Sequence, residues 1–106
     1  MKTITAYIGA EVIAVEVRDG QLHHPRMGEV TELDCSGNEL TSLPELPMVN
    51  TLACNDNKLS SLPKLPLVEW LVCRSNELTS LPELPLVEWL DCNDNELKLK
   101  ALGPQN

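Results

Sequence analysis

The sequence predicts a solenoid fold that is mainly β, with a short curved parallel sheet, an extended or polyproline-like outer side and little helix. The first observation behind this prediction is a unit of 19 residues, V-x-x-L-x-C-x-x-N-x-L-x-x-L-P-x-L-P-x, that begins at Val30, Val49, Val68 and Val87. The second is the segment x-L-x-C-x, where apolar and polar residues alternate as in a strand with one buried face. The third is the proline pair, which excludes a helix from the rest of the unit. Units of this kind bury their apolar sides against their neighbours and so stack into an array.

Residues 1–29 precede the first unit and are predicted to form an N-terminal β cap, a hairpin or meander. Segments 2–8 and 11–17 are rich in β-branched residues and largely alternate in polarity, and Gly9-Ala10 could form the turn between them. Asp19-Gly20 is a typical hairpin turn, so residues 21–23 are expected as a third short strand. We expect these strands to cover the first unit. The sequence leaves open whether some of them join the sheet that the units form.

The units occupy residues 30–99, with complete copies at 30–48, 49–67 and 68–86 and a partial copy at 87–99. Side-chain alternation directs the Leu and Cys of each strand segment toward the interior. Asn follows where the chain leaves the strand, and its amide can hydrogen-bond backbone groups that would otherwise be buried without partners. These cysteines and asparagines recur at every nineteenth position: Cys35, Cys54, Cys73, Cys92 and Asn38, Asn57, Asn76, Asn95.

The C-terminal end of the array is predicted to be covered only thinly. Leu97, Leu99 and Leu102 are expected to fold over the fourth unit, Gly103-Pro104 to end the structure, and residues 100–106 to form a tail. A sheet edge left open there could pair with a second copy, because such an edge carries unpaired backbone donors and acceptors. A homodimer is therefore possible.

The units of residues 30–99 resemble leucine-rich repeats. Their short L-P-x-L-P form is similar to that of bacterial secreted effectors of the Yersinia outer-protein and Shigella invasion-plasmid-antigen kinds. The resemblance implies a recognition scaffold that works inside a target cell. Three features depart from those effectors: residues 1–29 do not read as a helical cap, Cys replaces the usual Leu or Val at the second inward position, and no ubiquitin-ligase domain is matched. A ligase activity therefore cannot be carried over to this chain from the resemblance.

The outward strand positions line the concave face, where this family generally binds its partners. Alternation places both tryptophans there, on adjacent strands, with Val72 and Arg74 beside them and acidic residues around them. Trp and Arg are enriched at binding hot spots. The predicted partner-binding residues are Trp70, Trp89, Val72, Arg74, Glu32, Asp34, Asp91, Asn55 and Asn93. Other interpretations remain open: V-E-W-L occurs twice, so the second Trp could be a remnant of duplication, and the rings could pack together or cover a dimer contact.

The sequence favours neither an enzyme nor a cofactor or metal protein. Cysteines 19 residues apart do not match zinc-ligand spacing, and the periodic core explains them. His23-His24 has no further ligand at an obvious spacing, and no His or Lys is placed to activate the recurring serines Ser42, Ser61 and Ser80. No glycine-rich phosphate loop is present. We therefore predict no catalytic residues, no metal site and no cofactor.

Charge and hydropathy exclude two classes of partner. The formal net charge of −8 opposes binding to nucleic acid and to anionic membrane surfaces. No apolar run reaches the ~20 residues of a spanning helix. Residues 1–17 carry Glu11 and Glu16 within their apolar stretch, which makes a poor signal peptide, so a cytoplasmic location is expected.

These observations predict a protein-protein interaction module that binds a target protein through its concave face. Its small size suits an effector or inhibitor, for example a phage-encoded protein that blocks a bacterial defence enzyme. One alternative is an acidic decoy that mimics nucleic acid and blocks a DNA- or RNA-binding protein. The other is a structural module that only forms homodimers.

Overall fold

A computed structural model describes residues 1–97 and contains a single sheet of seven strands. In chain order the strands are β1 (Lys2–Ile8), β2 (Glu11–Arg18), β3 (Gln21–His23), β4 (Glu32–Asp34), β5 (Thr51–Ala53), β6 (Trp70–Val72) and β7 (Trp89–Asp91). A 3₁₀ turn, Met27–Glu29, connects β3 to β4. In the sheet the strands lie in the order β3-β2-β1-β4-β5-β6-β7.

The three N-terminal strands form as their sequence predicts. β1 and β2 pair antiparallel along their length, from Lys2 opposite Val17 to Ile8 opposite Glu11. Gly9 stands in the turn between them at φ 60°, a left-handed conformation that glycine adopts without steric cost. Asp19-Gly20 turns the chain into β3, which pairs with the end of β2.

The four strands of the 19-residue units pair in parallel, and the predicted register is confirmed. Leu33, Leu52, Leu71 and Leu90 stand side by side on neighbouring strands. The segments between these strands contain neither helix nor strand. Each unit therefore contributes one short strand and one irregular return segment.

The predicted fold class, a leucine-rich-repeat solenoid with an N-terminal β cap, is wrong. β1 pairs antiparallel with β4, placing Ala6 opposite Leu33 and Tyr7 opposite Glu32, and so joins the antiparallel and parallel strands into one mixed sheet. Three of the seven strands lie outside the 19-residue period, and they extend the sheet sideways instead of covering the end of an array. The radius of gyration, 13.6 Å, is that of a compact domain, for which about 13 Å is expected at 100 residues.

The N-terminal strands join the sheet because the edge of β1 that faces β4 carries backbone groups that need hydrogen-bond partners. Its Tyr7 carbonyl accepts the Thr31 N–H at 2.8 Å, and the Thr31 hydroxyl accepts the Gly9 N–H at 2.9 Å. An edge left unpaired next to β4 would expose these backbone groups. Pairing them makes β1–β3 part of the same β-sheet domain as β4–β7.

One continuous core lies on one side of the sheet. It includes inward residues of β1–β6 and the leucines of the return segments, with Ala6 and Val15 contributed by β1 and β2. Cys35, Cys54 and Cys73 are fully buried, as predicted, and Cys92 is half-buried.

The asparagines at every nineteenth position form a hydrogen-bonded ladder beside this core. The Asn57 amide nitrogen donates to the carbonyls of Cys35, Cys54 and Asn55, each at 3.1 Å. Its amide oxygen accepts the N–H groups of Asn38 and Leu40 at 3.0 and 2.9 Å. The predicted role of these asparagines, to satisfy buried backbone groups, is confirmed.

The predicted covering of the fourth unit rests on Leu97, Leu99, Leu102 and Gly103-Pro104. Leu97 packs partly buried against the core. The other residues lie outside the described part of the chain. Within residues 1–97, no helix is long and apolar enough to cross a membrane.

Candidate functional site

The most prominent surface feature of the described structure is a pair of exposed tryptophans. Trp70 on β6 and Trp89 on β7 are direct neighbours in the parallel register. Their exposed fractions are 41% and 56%. Leu71 directly follows Trp70 on β6 and is fully buried in the core, so alternation directs the Trp70 indole to the opposite side of the sheet. Trp89 is paired with Trp70 on the neighbouring strand, so its indole lies on the same side. The prediction that the tryptophans face solvent is confirmed.

Val72 departs from the predicted site because it is not accessible. It occupies the same outward column as Ala53 and Asp91, yet only 7% of it is exposed. It is also absent from the continuous core on the other side of the sheet. Residues two positions away on a strand lie on the same face, so Trp70 and Arg74 flank Val72 on that face. Val72 is thus a nearly buried residue on the outward side of the sheet, where the sequence predicted an accessible one.

Arg74 is the cation of this surface, and it already has a partner. Its Nε lies 3.5 Å from a carboxylate oxygen of Asp91 on the next strand. The Arg74 side chain is half exposed, so this ion pair is partly screened by water and holds the guanidinium only weakly. We name the surface formed by Trp70, Val72, Arg74, Trp89 and Asp91 the tryptophan face.

The other predicted contact residues divide into free and engaged side chains. Glu32 on β4 is exposed and forms no side-chain hydrogen bond within residues 1–97. Asp34 accepts the Ser36 N–H at 3.1 Å, and Asp91 accepts the Asn93 N–H at 3.2 Å. The Asn55 side chain accepts the Arg74 N–H at 2.9 Å. Asp34, Asp91 and Asn55 therefore shape the turns after their strands, while Asn93 is exposed.

The electrostatic setting of the tryptophan face is acidic. Glu69 and Glu88 directly precede the two tryptophans and are exposed. Glu32 lies one strand beyond Thr51, the neighbour of Trp70. Since the chain carries a formal net charge of −8, a positively charged surface would be drawn toward this region.

Sequence reasoning missed a second set of exposed apolar side chains. Met48, Leu67 and Leu86 are each exposed and occupy the last position of successive 19-residue units. The signal was present, because the position between the second Pro and the next Val is apolar in all three complete units. These residues provide a second set of exposed apolar side chains, outside the β-strands.

The buried cysteines have raised pKa values, and both histidines lie within hydrogen-bond distance of neighbouring backbone groups. Burial, with a smaller contribution from the nearby Asp34 carboxylate, raises the pKa of the Cys35 thiol to about 12. Burial likewise raises the pKa of Cys73 to about 12, so these thiols stay protonated and are poor nucleophiles or ligands. His24 accepts the Arg26 N–H, and His23 lies 3.3 Å from the Arg18 carbonyl. Within residues 1–97, no three His, Cys, Asp or Glu side chains are grouped to hold a metal ion.

The chain matches no protein-family model, and the comparisons with curated proteins and with solved structures give no match either.

Proposed function

We propose that this protein is an interaction module that binds another protein through the tryptophan face. The observation that carries the proposal is the exposed, register-matched pair Trp70 and Trp89. Two neighbouring indoles on a rigid strand ladder offer a large apolar area with little side-chain entropy to lose on binding. The bound protein would cover the indoles at the centre and meet the acidic residues at the rim.

The chemistry of the surroundings indicates the character of the target. Exposed Glu69, Glu88 and Glu32 favour a target surface with Lys or Arg around an apolar centre. The resemblance of residues 30–99 to the leucine-rich repeats of bacterial effectors supports a recognition role. We extend the proposal to an effector or inhibitor that acts in the cytoplasm of the producing or of a host cell, and that performs no catalysis.

The test combines capture with a site-specific cross-link. A photo-reactive residue at position 51, beside Trp70 on the neighbouring strand, should cross-link the target in lysate, and the same residue at Lys58 should not. Because the chain has only two tryptophans, both on this face, their fluorescence reports directly on binding of the purified target.

The matched control uses the second exposed apolar set. Trp70→Ala with Trp89→Ala should weaken target binding by more than about 30-fold, as expected for hot-spot residues. Met48→Ala with Leu67→Ala removes two exposed apolar side chains outside the β-strands and should leave the affinity within about twofold. Both variants should keep the wild-type circular dichroism and unfolding midpoint. Equal losses in the two variants would contradict the proposal.

Salt separates this mode of binding from a nucleic-acid-mimicking decoy. A contact centred on the indoles should lose little affinity as salt rises, whereas a decoy held by its negative charges should weaken steeply. A target that ignores the tryptophan substitutions and dissociates in high salt would point to the decoy instead.

A further inference from the structure

β7 is the last strand of the parallel ladder, and its inward residue is less buried than the equivalent residues of β4, β5 and β6. Leu33, Leu52 and Leu71 are buried, whereas Leu90, at the same position of the fourth unit, is 39% exposed. In the part of the chain from residue 1 to residue 97, no strand pairs with the outer side of β7. The sheet therefore presents an unpaired strand edge with a partly exposed leucine at this end.

The backbone groups on this edge follow from the series of hydrogen bonds along the ladder. The carbonyls of Thr31, Asn50 and Glu69 each accept N–H groups from the next strand, so the Glu88 carbonyl is the next acceptor. The N–H groups of Cys35, Cys54 and Cys73 each donate to the next strand, so Cys92 is the next donor.

Leu90 stands between these two groups. The Trp89 N–H donates to Glu69 and the Asp91 carbonyl accepts from Cys73, so both residues hydrogen-bond to β6. Because backbone groups alternate along a strand, the N–H and C=O of Leu90 point away from β6. The edge thus offers an acceptor at Glu88, a donor and an acceptor at Leu90, and a donor at Cys92.

This order of groups is self-complementary, and we propose that a second copy of this chain pairs antiparallel with β7 about a two-fold axis at Leu90. Leu90 of each copy donates its N–H to the Leu90 carbonyl of the other. The Cys92 N–H of each copy donates to the Glu88 carbonyl of the other. The two exposed Leu90 side chains face each other on the core side of the sheet. The pairing joins two seven-stranded sheets into one continuous sheet.

The pairing also joins the two tryptophan faces. Trp89 of one copy stands opposite Asp91 of the other, and directly opposed residues project to the same face of an antiparallel pair. Trp70 and Trp89 of both copies therefore line one side of the joined sheet. This inference does not rest on the proposed function, since β7 pairs through its backbone whether or not a target binds.

Charge sets the salt dependence of this association and distinguishes it from capture of a basic segment. Glu88, Asp91 and Asp94 of the two copies come close together, so their repulsion opposes the pairing. Salt screens that repulsion, and self-association should strengthen as salt rises. A basic partner strand on the same edge would show the opposite trend.

Sedimentation and hydrogen exchange of the full chain test the proposal. Sedimentation equilibrium should show the mass rising from 11.7 kDa to twice that value with concentration, and at lower concentration in high salt. The Leu90 and Cys92 amides should become protected from exchange only as the dimer forms. The Trp89 amide, which donates to Glu69 at 3.0 Å, is the internal control and should be protected at every concentration.

Two variants separate the backbone pairing from the side chain. Leu90→Pro removes the outward N–H, which an edge strand tolerates, and should weaken the dimer more than tenfold. Leu90→Ala keeps that N–H and should retain most of the association. Should Leu90→Pro fail to fold, the amide exchange of the wild-type chain still decides the question.

Three results would overturn the proposal. One is a single-chain mass at all concentrations and salts. Another is a dimer that Leu90→Pro leaves intact, since that dimer would use a different surface. The third is protection of the Leu90 and Cys92 amides that does not depend on concentration, since residues 98–106 of the same chain would then occupy the edge.

Discussion

Leu52 on β5 and Leu90 on β7 have the same place in the 19-residue unit but very different surroundings. Leu52 has a strand on each side and is fully buried, whereas Leu90 has β6 on one side only and is more than a third exposed. The same difference holds for Cys54 and Cys92. Burial at a given position therefore depends on the neighbouring strands, and identical residues contribute unequally to stability along one sheet.

The largest expected difference between the inner and outer units concerns their asparagines. Asn57→Ala removes five hydrogen bonds and leaves the Asn38 and Leu40 N–H groups without their acceptor in the interior. A buried group that loses its partner costs about 1–3 kcal/mol, so we expect a loss of roughly 3–6 kcal/mol in the free energy of unfolding.

The comparison variant is Asn95→Ala in the outer unit. The Asn95 side chain is half-buried, so water can replace part of what it donates to Cys73, Cys92 and Asn93. We expect about half the loss seen for Asn57→Ala. Urea unfolding followed by circular dichroism measures both variants, and equal losses would show that the outer unit is as well covered as the inner one.

A pair of leucine truncations gives the next largest effect. Leu52→Ala creates a cavity in the fully buried core and should cost about 2–5 kcal/mol. Leu90→Ala removes a side chain that is already partly hydrated and should cost about 1 kcal/mol or less in the monomer. The unfolding free energies must be measured at a concentration where no dimer forms. A reversed order of the two losses would refute the comparison.

The free energy of unfolding should fall at alkaline pH because of the buried thiols of the inner units. The pKa of Cys35 is raised by burial from 9.0 to about 12, and the pKa of Cys54 is also raised. The unfolded chain therefore releases these thiol protons at a lower pH than the folded chain does. The stability that the two buried thiols contribute is thus complete below pH 9 and is lost between pH 9 and 12. The slope is up to about 1.4 kcal/mol per pH unit for each thiol.

The control for this pH dependence is a pair of substitutions at equivalent positions. Cys54→Ala should make the decline of unfolding free energy above pH 9 shallower. Cys92→Ala should change the slope less, because Cys92 is only half-buried and loses less hydration on folding. Identical slopes in the wild type and Cys54→Ala would contradict the assignment.

The sequence predicted what depends on local pattern. The register that aligns Trp70 with Trp89, the buried cysteine column and the three N-terminal strands all follow from alternation, periodicity and turn residues. These features need no knowledge of which distant segments meet. For this reason the amino-acid sequence alone is enough to infer them.

What the sequence did not predict depends on contacts between distant segments. β1, β2 and β3 are all short alternating strands, and no local feature singles out β1 as the partner of β4. That one pairing decides between a separate cap and a continuous mixed sheet. The burial of Val72 is a second case, since an outward position is exposed or covered according to the side chains around it, and only 7% of Val72 is exposed.

The smallest expected effects on the free energy of unfolding concern the backbone turn after each strand. Here substitutions at equivalent positions are expected to destabilise one unit and to stabilise another. Gly37 and Asp56 occupy equivalent positions of the first and second units, at φ 71° and 58°. A side chain in this left-handed region costs about 1 kcal/mol, somewhat less for Asp. Gly37→Ala should therefore lower the free energy of unfolding by about 1 kcal/mol, and since no atom lies within 4 Å of the added methyl, the cost is conformational.

Asp56→Gly should raise the free energy of unfolding by about 0.5 kcal/mol, because glycine adopts the left-handed conformation without that cost. Asp94→Gly, at φ 61° beside the open edge, should gain less than Asp56→Gly if the outer unit opens locally before the rest. Thermal and urea unfolding of the three variants can resolve these differences, and a loss of stability in Asp56→Gly would show that its side chain contributes more than its backbone costs.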